Sequence, residues 1–434
     1  MIKDILKKIK SNQIKVCIIG LGYVGLPLIE KFIEKKINVY GIDNDKKKIS
    51  LLKKGKSYLP NIKDKSLKYF KKYPNKITSN YSILKNMDII IICLPTPLKN
   101  YKTPDMQILN NCIENLKKYK KFNQILILES TVYPGATEEL FKKLNNKKKY
   151  ILGKNYFLIF SPERENPGDK NFSYDRTPKV VGGSTNKCSE IGYKIYNKIV
   201  KNVHLTKSIE IAEMSKLLEN SYREVNIGLA NEMKLISERM NINIWDVIEA
   251  AKTKNFGFTA FNPGPGTGGH CIPIDPMYLI WASKKKNFLP KLIWASSRLN
   301  SSMPKIIVRK IYKKSNSIKK KLKNIFFIGV SYKKNVGDIR HSPAIEMILS
   351  FIKNKHNVFY HDPHVNKIDL NDLKIKMHSR NLTTQNLNKA DIIIITTDHD
   401  EINYNKILNS NKIIFDTRGI LKDKKKNKKN IFFI

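Results

Sequence analysis

The stretch KVCIIGLGYVG, residues 15–25, decides the fold. Its first half lies in a β-branched, apolar run from Lys15 to Gly20, the composition of a strand buried on both faces. Its second half sets Gly20, Gly22 and Gly25 at the spacing G-x-G-x-x-G and opens a helical pattern. The first glycine permits a tight turn, the second lets a pyrophosphate approach the backbone, and the third lets helix and strand pack closely. Pro27 falls in the first turns of that helix, where a missing N–H costs little. The next run, Asn38–Asp43, ends in an acid 18 residues beyond Gly25, suited to accept hydrogen bonds from an adenosine ribose. Asp45 repels a 2′-phosphate and Lys46 to Lys48 soften that repulsion, so NAD is favoured over NADP. Gly20, Gly22, Tyr23, Val24, Gly25, Asp43 and Lys48 are the expected cofactor contacts here.

Outward from this unit, β-branched runs keep alternating with helical stretches, and Asp88–Leu94, Ile125–Ser130 and Tyr156–Ser161 read as further strands. Such alternation predicts a parallel sheet covered by helices on both faces. From about Ile209 to Met240 the pattern becomes one long helix, with Met214, Leu217, Leu218, Val225, Leu229, Met233 and Ile236 as an apolar stripe. More helical sequence follows, interrupted by the glycine-rich loop Phe261–Cys271, and Lys313–Lys323 reads as a solvated connector. Strands resume at Asn324–Val330, Asn357–His361, Asp391–Thr396 and Lys412–Asp416. The expected fold is α/β, with two Rossmann-like doubly wound domains joined by a long central helix and a helical middle domain. The expected domain limits are 1–206, 207–312 and 313–434.

A length of 434 residues suits about three domains, or two joined by a long element. With 41% hydrophobic and 27% charged residues the chain can bury ordinary cores. No apolar run approaches the roughly 18 residues of a membrane span, and the first residues lack the apolar core of an export signal. The five cysteines are widely spaced without a C-x-x-C, which argues against a disulfide framework and a zinc ribbon. A reduced, cytoplasmic protein with no metal and no membrane partner is expected. The net charge of +44 raises nucleic acid as a partner, but only 9 of the 81 basic residues are arginine. Base readers rely on bidentate arginine, and the lysines are spread along the chain, so a solvated surface is the better reading and no nucleic acid is expected.

Other segments carry chemistry. At the carboxyl ends of later strands, where open α/β sheets bind ligands, Thr96, Ser130 and Thr131 offer hydroxyls to a cofactor or substrate. Glu163, in FSPER, is a candidate base or water-positioning group, with a surface ion pair to Arg164 as the competing reading. Glu213, Lys216, Asn220 and Arg223 share one face of the long helix, read either as a solvated charged face or as an ammonium and an amide set to meet an oxyanion. In NPGPGTGGHCIPID, residues 262–275, Gly264, Gly266, Gly268 and Gly269 let backbone approach a ligand. Cys271 follows them after His270, with Asp275 four residues on, and reads as a nucleophile. GVSYKKNVGDIRHSP, residues 329–343, is a second strand-to-helix loop with basic residues suited to phosphate. HDPH, residues 361–364, reads as a turn rather than a metal site.

In their order, GLGYVG, CLPTP, ESTVYPG, FSPER, EMSKLLEN, PGPGTGGHCIPID, GVSYKKNVGDIRHSP and FDTRG resemble the UDP-glucose/GDP-mannose dehydrogenase family over roughly residues 14–420. The resemblance is strongest to the branch that oxidises UDP-N-acetylglucosamine at C6 for surface polysaccharides. It implies oxidation of a sugar alcohol to a carboxylate with two NAD⁺, through a thiohemiacetal and thioester on Cys271. It further implies oxyanion stabilisation by Lys216 and Asn220, and handling of the water by Asp275 with Glu163 or Thr131. Lys333 and Arg418 would meet the nucleotide, Arg340 the cofactor or a neighbouring domain, and Arg164 and Arg223 the sugar. The long helix would supply a homodimer interface. The sequence REN-P-G from Arg164 to Gly168 departs from the UDP-glucose branch, so Glu165 takes no role and UDP-N-acetylglucosamine is preferred. UDP-glucose and UDP-N-acetylgalactosamine stay as alternatives. A two-electron dehydrogenase of the 6-phosphogluconate or hydroxyacyl type and a non-catalytic nucleotide-sugar binder are the rivals.

Overall fold

The computed structural model describes residues 2–59, 62–99, 102–145, 149–164, 177–424 and 429–434; the Glu165–Gly168 departure lies outside them. Two compact units divide the chain, Met1–Glu219 and Asn220–Ile434.

The first unit holds β1 (Lys15–Ile19), β2 (Asn38–Ile42), β3 (Ile77–Thr78), β4 (Ile89–Ile92), β5 (Ile125–Leu128), β6 (Phe157–Phe160), β7 (Lys179–Gly183) and β8 (Val203–Thr206). They form one sheet in the order β3-β2-β1-β4-β5-β6-β7-β8. Every pair is parallel except β6 with β7. The order reverses direction between β1 and β4, which opens a crevice at the carboxyl ends of those strands. Burial on both faces explains why β4, four isoleucines in a row, needs no polar alternation. The helix Gly25–Glu34 covers the sheet with Leu26, Leu28, Ile29 and Phe32, all fully buried. Strands β7 and β8 escaped the sequence reading because β7, KVVGG, has only two apolar β-branched residues before its glycines and β8, VHLT, is largely exposed without a continuous apolar run.

In the second unit, β9 (Asn324–Ile328), β10 (Asn357–His361), β13 (Ile392–Ile395), β14 (Ile413–Asp416) and β15 (Ile431–Phe433) form a parallel sheet in the order β10-β9-β13-β14-β15. Between β10 and β13 in sequence, β11 (Lys367–Leu370) and β12 (Ile375–His378) pair antiparallel as a separate hairpin. Every strand expected from the sequence is present within two residues of its expected ends. The connector is a correction. The helix Lys291–Ser317 absorbs residues 313–317, because its buried stripe of Met303, Ile307, Ile311 and Ser315 continues at four-residue steps beneath the lysines.

The long helix Ile209–Arg239 runs across the boundary between the units, and its faces are inverted relative to an ordinary amphipathic helix. Glu213, Asn220, Ser221, Glu224, Asn231 and Lys234 are buried. Of the apolar stripe only Leu217 is fully buried, while Leu218 is 65% and Leu229 55% exposed, with Met214, Met233 and Ile236 also exposed. Among the described residues no helix is long and apolar enough to cross a membrane.

Helix ends carry a mark of the lysine-rich composition. After the helices ending at Glu34, Ser317 and Lys353, the left-handed residue that closes the turn is Lys36 (φ 57°), Lys319 (φ 52°) and Lys355 (φ 62°). Each closes paired backbone bonds, for example Lys36 N–H to the Ile33 carbonyl and Ile37 N–H to the Phe32 carbonyl. Glycine is the usual occupant of that position.

Candidate active site

The first βα loop is built as its glycines predict. Gly20 adopts φ +94°, and a Cβ at Gly25 would stand 1.9 Å from the Gly20 carbonyl oxygen, so helix and strand meet without room for a side chain. A Cβ at Gly22 meets no atom within 4 Å; that open space above the backbone is where a dinucleotide's pyrophosphate fits. Asp43, at the end of β2, accepts from Leu21 N–H at 2.8 Å and Asp45 N–H at 2.9 Å. It therefore fixes the loop, and each carboxylate oxygen keeps a lone pair for a ribose hydroxyl. Lys48 Nζ lies 3.8 Å from Asp43 and over the Tyr58 ring. Tyr23 and Val24 sit half-buried at the helix start, Thr96 follows β4, and Ser130 and Thr131 follow β5. These groups converge on the carboxyl edge of the sheet and fit NAD.

The same edge carries a buried charge cluster. Glu163, beyond β6, is not paired with Arg164, the competing reading of the sequence; Arg164 instead binds Glu219 and the Pro178 carbonyl. Glu163 faces Lys179, the first residue of β7, with Nζ 3.8 Å from Oε2. Lys179 donates to Glu129 at 2.7 Å, and the Tyr196 hydroxyl donates to the other oxygen of Glu129. Glu129, Glu163, Lys179 and Tyr196 are all buried. Burial opposes the charge on Lys179, but Glu129 and Glu163 outweigh it and hold the ammonium above its ordinary range. The Lys216 ammonium donates to the Glu163 backbone carbonyl.

Glu213, read with Lys216 and Asn220 as one polar stripe, belongs to neither reading weighed for that stripe. It caps the helix Ala136–Leu144, accepting from Gly135 N–H at 2.5 Å, Thr137 N–H at 2.9 Å and the Thr137 hydroxyl at 2.6 Å. Burial pushes its carboxyl up to about 7 despite those donors.

In the second unit, Asn220 Nδ2 donates to Asp275 Oδ2 at 2.5 Å, and Asp275 N–H donates to the Cys271 carbonyl at 2.8 Å. Asp275 opens the helix Asp275–Lys284 and is 2% exposed. Cys271 is half-exposed whereas the other four cysteines are buried, and burial pushes the thiols of Cys17 and Cys112 up. The glycines before Cys271 depart from expectation. They make room for protein rather than for an open ligand face: a Cβ at Gly264 would meet Arg418, at Gly266 the Asn300 carbonyl, and at Gly268 and Gly269 the Tyr332 side chain. Gly269 N–H also donates to the Arg340 carbonyl at 2.9 Å. The Cys271 loop is thereby locked to the segments that carry Tyr332, Arg340 and Arg418.

The second strand-to-helix loop has its own frame. Asp362, at the end of β10, accepts from Val330 N–H at 2.7 Å and Ser331 N–H at 3.2 Å. It also accepts from His364 and Val365 N–H, and His399 Nε2 lies 3.1 Å away. His399 Nδ1 takes the Asn335 N–H at 2.9 Å, which leaves the proton on Nε2. Lys333 lies between Ser331 and Asn335, so its position is set from both sides. Arg340 pairs bidentately with Asp338, Arg418 with Asp398 at 3.0 Å, and Arg223 is exposed on the long helix. Lys179, Glu129, Asp362 and His399 escaped the sequence reading as site residues; a lysine opening a buried strand was the available signal for the first.

Family models match in chain order: the NAD binding domain of the UDP-glucose/GDP-mannose dehydrogenase family at residues 14–200, its central domain at 210–302 and its UDP binding domain at 326–423. The chain is 35% identical to a UDP-N-acetyl-D-mannosamine dehydrogenase of Methanocaldococcus jannaschii, over 95% of each chain. It is 32% identical to a UDP-N-acetyl-D-glucosamine 6-dehydrogenase of Pseudomonas aeruginosa, over 95% of this chain and 99% of that one. A solved UDP-D-ManNAc dehydrogenase from Pyrococcus horikoshii superposes with TM-score 0.83 at 31% identity, covering 94% of this chain and 96% of that one. With three domains matched in order and the dinucleotide loop intact, the chain belongs to the UDP-glucose/GDP-mannose dehydrogenase family and is an NAD-dependent nucleotide-sugar dehydrogenase.

Proposed function

We propose that the chain oxidises the C6 alcohol of a UDP-N-acetylhexosamine to the carboxylate in two steps, with Cys271 as covalent nucleophile. The observation that carries this is Cys271 itself, a half-exposed thiol on a locked loop whose carbonyl is bonded to Asp275, itself bonded to Asn220. NAD⁺ would supply a hydride acceptor for each oxidation, and in the first the C6 hydroxyl also gives its proton to water. After the first, the Cys271 thiolate adds to the C6 aldehyde, forming a C–S bond and an oxyanion that the Lys216 ammonium and Asn220 amide stabilise. Loss of the second hydride from that adduct leaves a thioester. Water then attacks as Glu163 takes its proton; the C–S bond breaks, and Cys271 departs as thiolate. Thr131 orients the water, and Asp275 holds Asn220 in place. Lys333 and Arg418 bind the nucleotide diphosphate, and Arg223 reads the 2-acetamido group.

The relatives include enzymes named for the gluco and the manno epimer, so both substrates enter the same assay. With NAD⁺, turnover of either N-acetylated sugar is expected to exceed that of UDP-glucose at least tenfold, with two NADH per acid formed. One NADH per sugar, or full acid formation by Cys271→Ser at wild-type speed, overturns the reading. The exposed apolar stripe of the long helix supports a homodimer through that face, and Leu218→Lys with Leu229→Lys is expected to halve the mass measured by light scattering.

A further inference from the structure

The cluster under Glu163 holds two carboxylates and one ammonium, all removed from solvent. Glu129 takes hydrogen bonds from Lys179 and Tyr196, which favour its charged form, while burial and the neighbouring Glu163 push its carboxyl above the ordinary range. Glu163 Oε2 lies within ion-pair distance of Lys179 but accepts no hydrogen bond from any described residue. We infer that Lys179 is a positioning residue for the hydrolytic step, dividing its charge between Glu129 and Glu163 so that Glu163 is the carboxylate that accepts the proton from water. The inference rests on the proposed role of Glu163 as that acceptor.

The argument is one of charge balance. With both carboxylates ionised the cluster carries net −1, which a buried site disfavours. One proton on Glu163 leaves Glu129 and Lys179 as a neutral pair, so taking a proton from water relieves the excess charge. The groups facing Glu163 are Lys179 from β7, Glu129 from the end of β5, and Lys216 on its backbone carbonyl, with Tyr196 from the helix Asn186–Tyr196 bonded to Glu129 behind them. The Cys93 thiol at the end of β4 adds to the field at Lys179.

Removing either partner therefore moves Glu163 in opposite directions. In Glu129→Gln the whole ammonium charge falls to Glu163, a weaker base results, and the acid limb of the pH–rate profile moves down by about one unit. In Lys179→Met two carboxylates face each other without a cation, and the limb moves up by a similar amount. Lys179→Arg restores the wild-type limb. A scaffold role lowers rates without opposed displacements. The assay uses full-length enzyme, NAD⁺ and UDP-N-acetylhexosamine, and follows acid release and cysteinyl thioester by mass spectrometry. Glu163→Gln is expected to accumulate thioester at least a hundredfold; if it hydrolyses normally, the role of Glu163 and the inference fall together. If Glu163→Gln stalls hydrolysis while Glu129→Gln leaves the limb within 0.2 units, the role of Glu163 stands and the inference alone is overturned. Glu129→Gln matches the shape of the native side chain and leaves Glu163 and Lys179 as a neutral pair, so it decides the matter even where Lys179→Met fails to fold.

Discussion

In the first unit the Gly20 N–H donates to the Ile42 carbonyl, and in the second the Gly329 N–H donates to the His361 carbonyl, both at 2.8 Å. Each turn is held by the aspartate that follows its partner strand, Asp43 or Asp362, through the N–H groups just beyond the glycine. The frames agree and the acids do not. Asp43 binds two backbone donors and is 8% exposed. Asp362 binds four backbone donors with His399 beside it and is 1% exposed. At the same topological position one carboxylate still has acceptor capacity to spare and the other is committed to its own loop, and the difference lies in how many backbone donors each already holds.

The strongest way to break this contrast is Asp362→Ala. It strands several buried donors at once and is expected to cost about 3–5 kcal/mol. The second unit should melt first in calorimetry and affinity for UDP should vanish, and a drop below 1 kcal/mol would refute the structural role. Changing pH should stress the two units from opposite sides. Burial pushes the Asp362 carboxyl up, but His399 and the backbone donors outweigh it and hold it below the ordinary range. Its contribution is present above the unfolded value of about 4 and lost as pH falls further. Glu213, raised to about 7, contributes stability that is full below its unfolded value and lost as pH rises through about 7. Calorimetry from pH 3 to 9 should show the second unit failing at the acid end and the first weakening at the basic end, with Glu213→Gln flattening the latter.

Asp43→Ala removes two backbone bonds and should cost about 1–2 kcal/mol. Its main effect should be at least a tenfold rise in KM for NAD⁺ with KM for the sugar nucleotide unchanged; parallel rises in both would erase the distinction between the acids. Gly22→Ala is the mildest change for folding. The added methyl meets no protein atom, so stability should move by less than about 0.5 kcal/mol while KM for NAD⁺ rises. A stability loss beyond that would show the space at Gly22 to be a packing requirement.

The strands and the dinucleotide loop were legible because continuous β-branched runs and fixed glycine spacing have local causes. Cys271 stood out for a similar reason, a thiol one residue past a loop of four glycines. The inverted long helix was not legible, since apolar periodicity reports that a stripe exists and not which side it faces. The glycines at 264–269 show the same limit: glycine marks a close approach, and only the fold says whether ligand or Tyr332 makes it. Lys179 and Asp362 act through partners tens of residues away in sequence, Glu129 and His399 among them, and no local pattern announces such pairs.

The lysines at positions 36, 319 and 355 leave room for engineering. An L-residue in the left-handed region costs roughly 1 kcal/mol or more relative to glycine, partly offset by the chain freedom that glycine loses on folding. Exchanging all three for glycine, at sites far apart in sequence and remote from the chemistry proposed here, should add small independent increments and lift the melting temperature by a few degrees at unchanged turnover. On that expectation, the lysines at three helix ends hold stability that glycine would release.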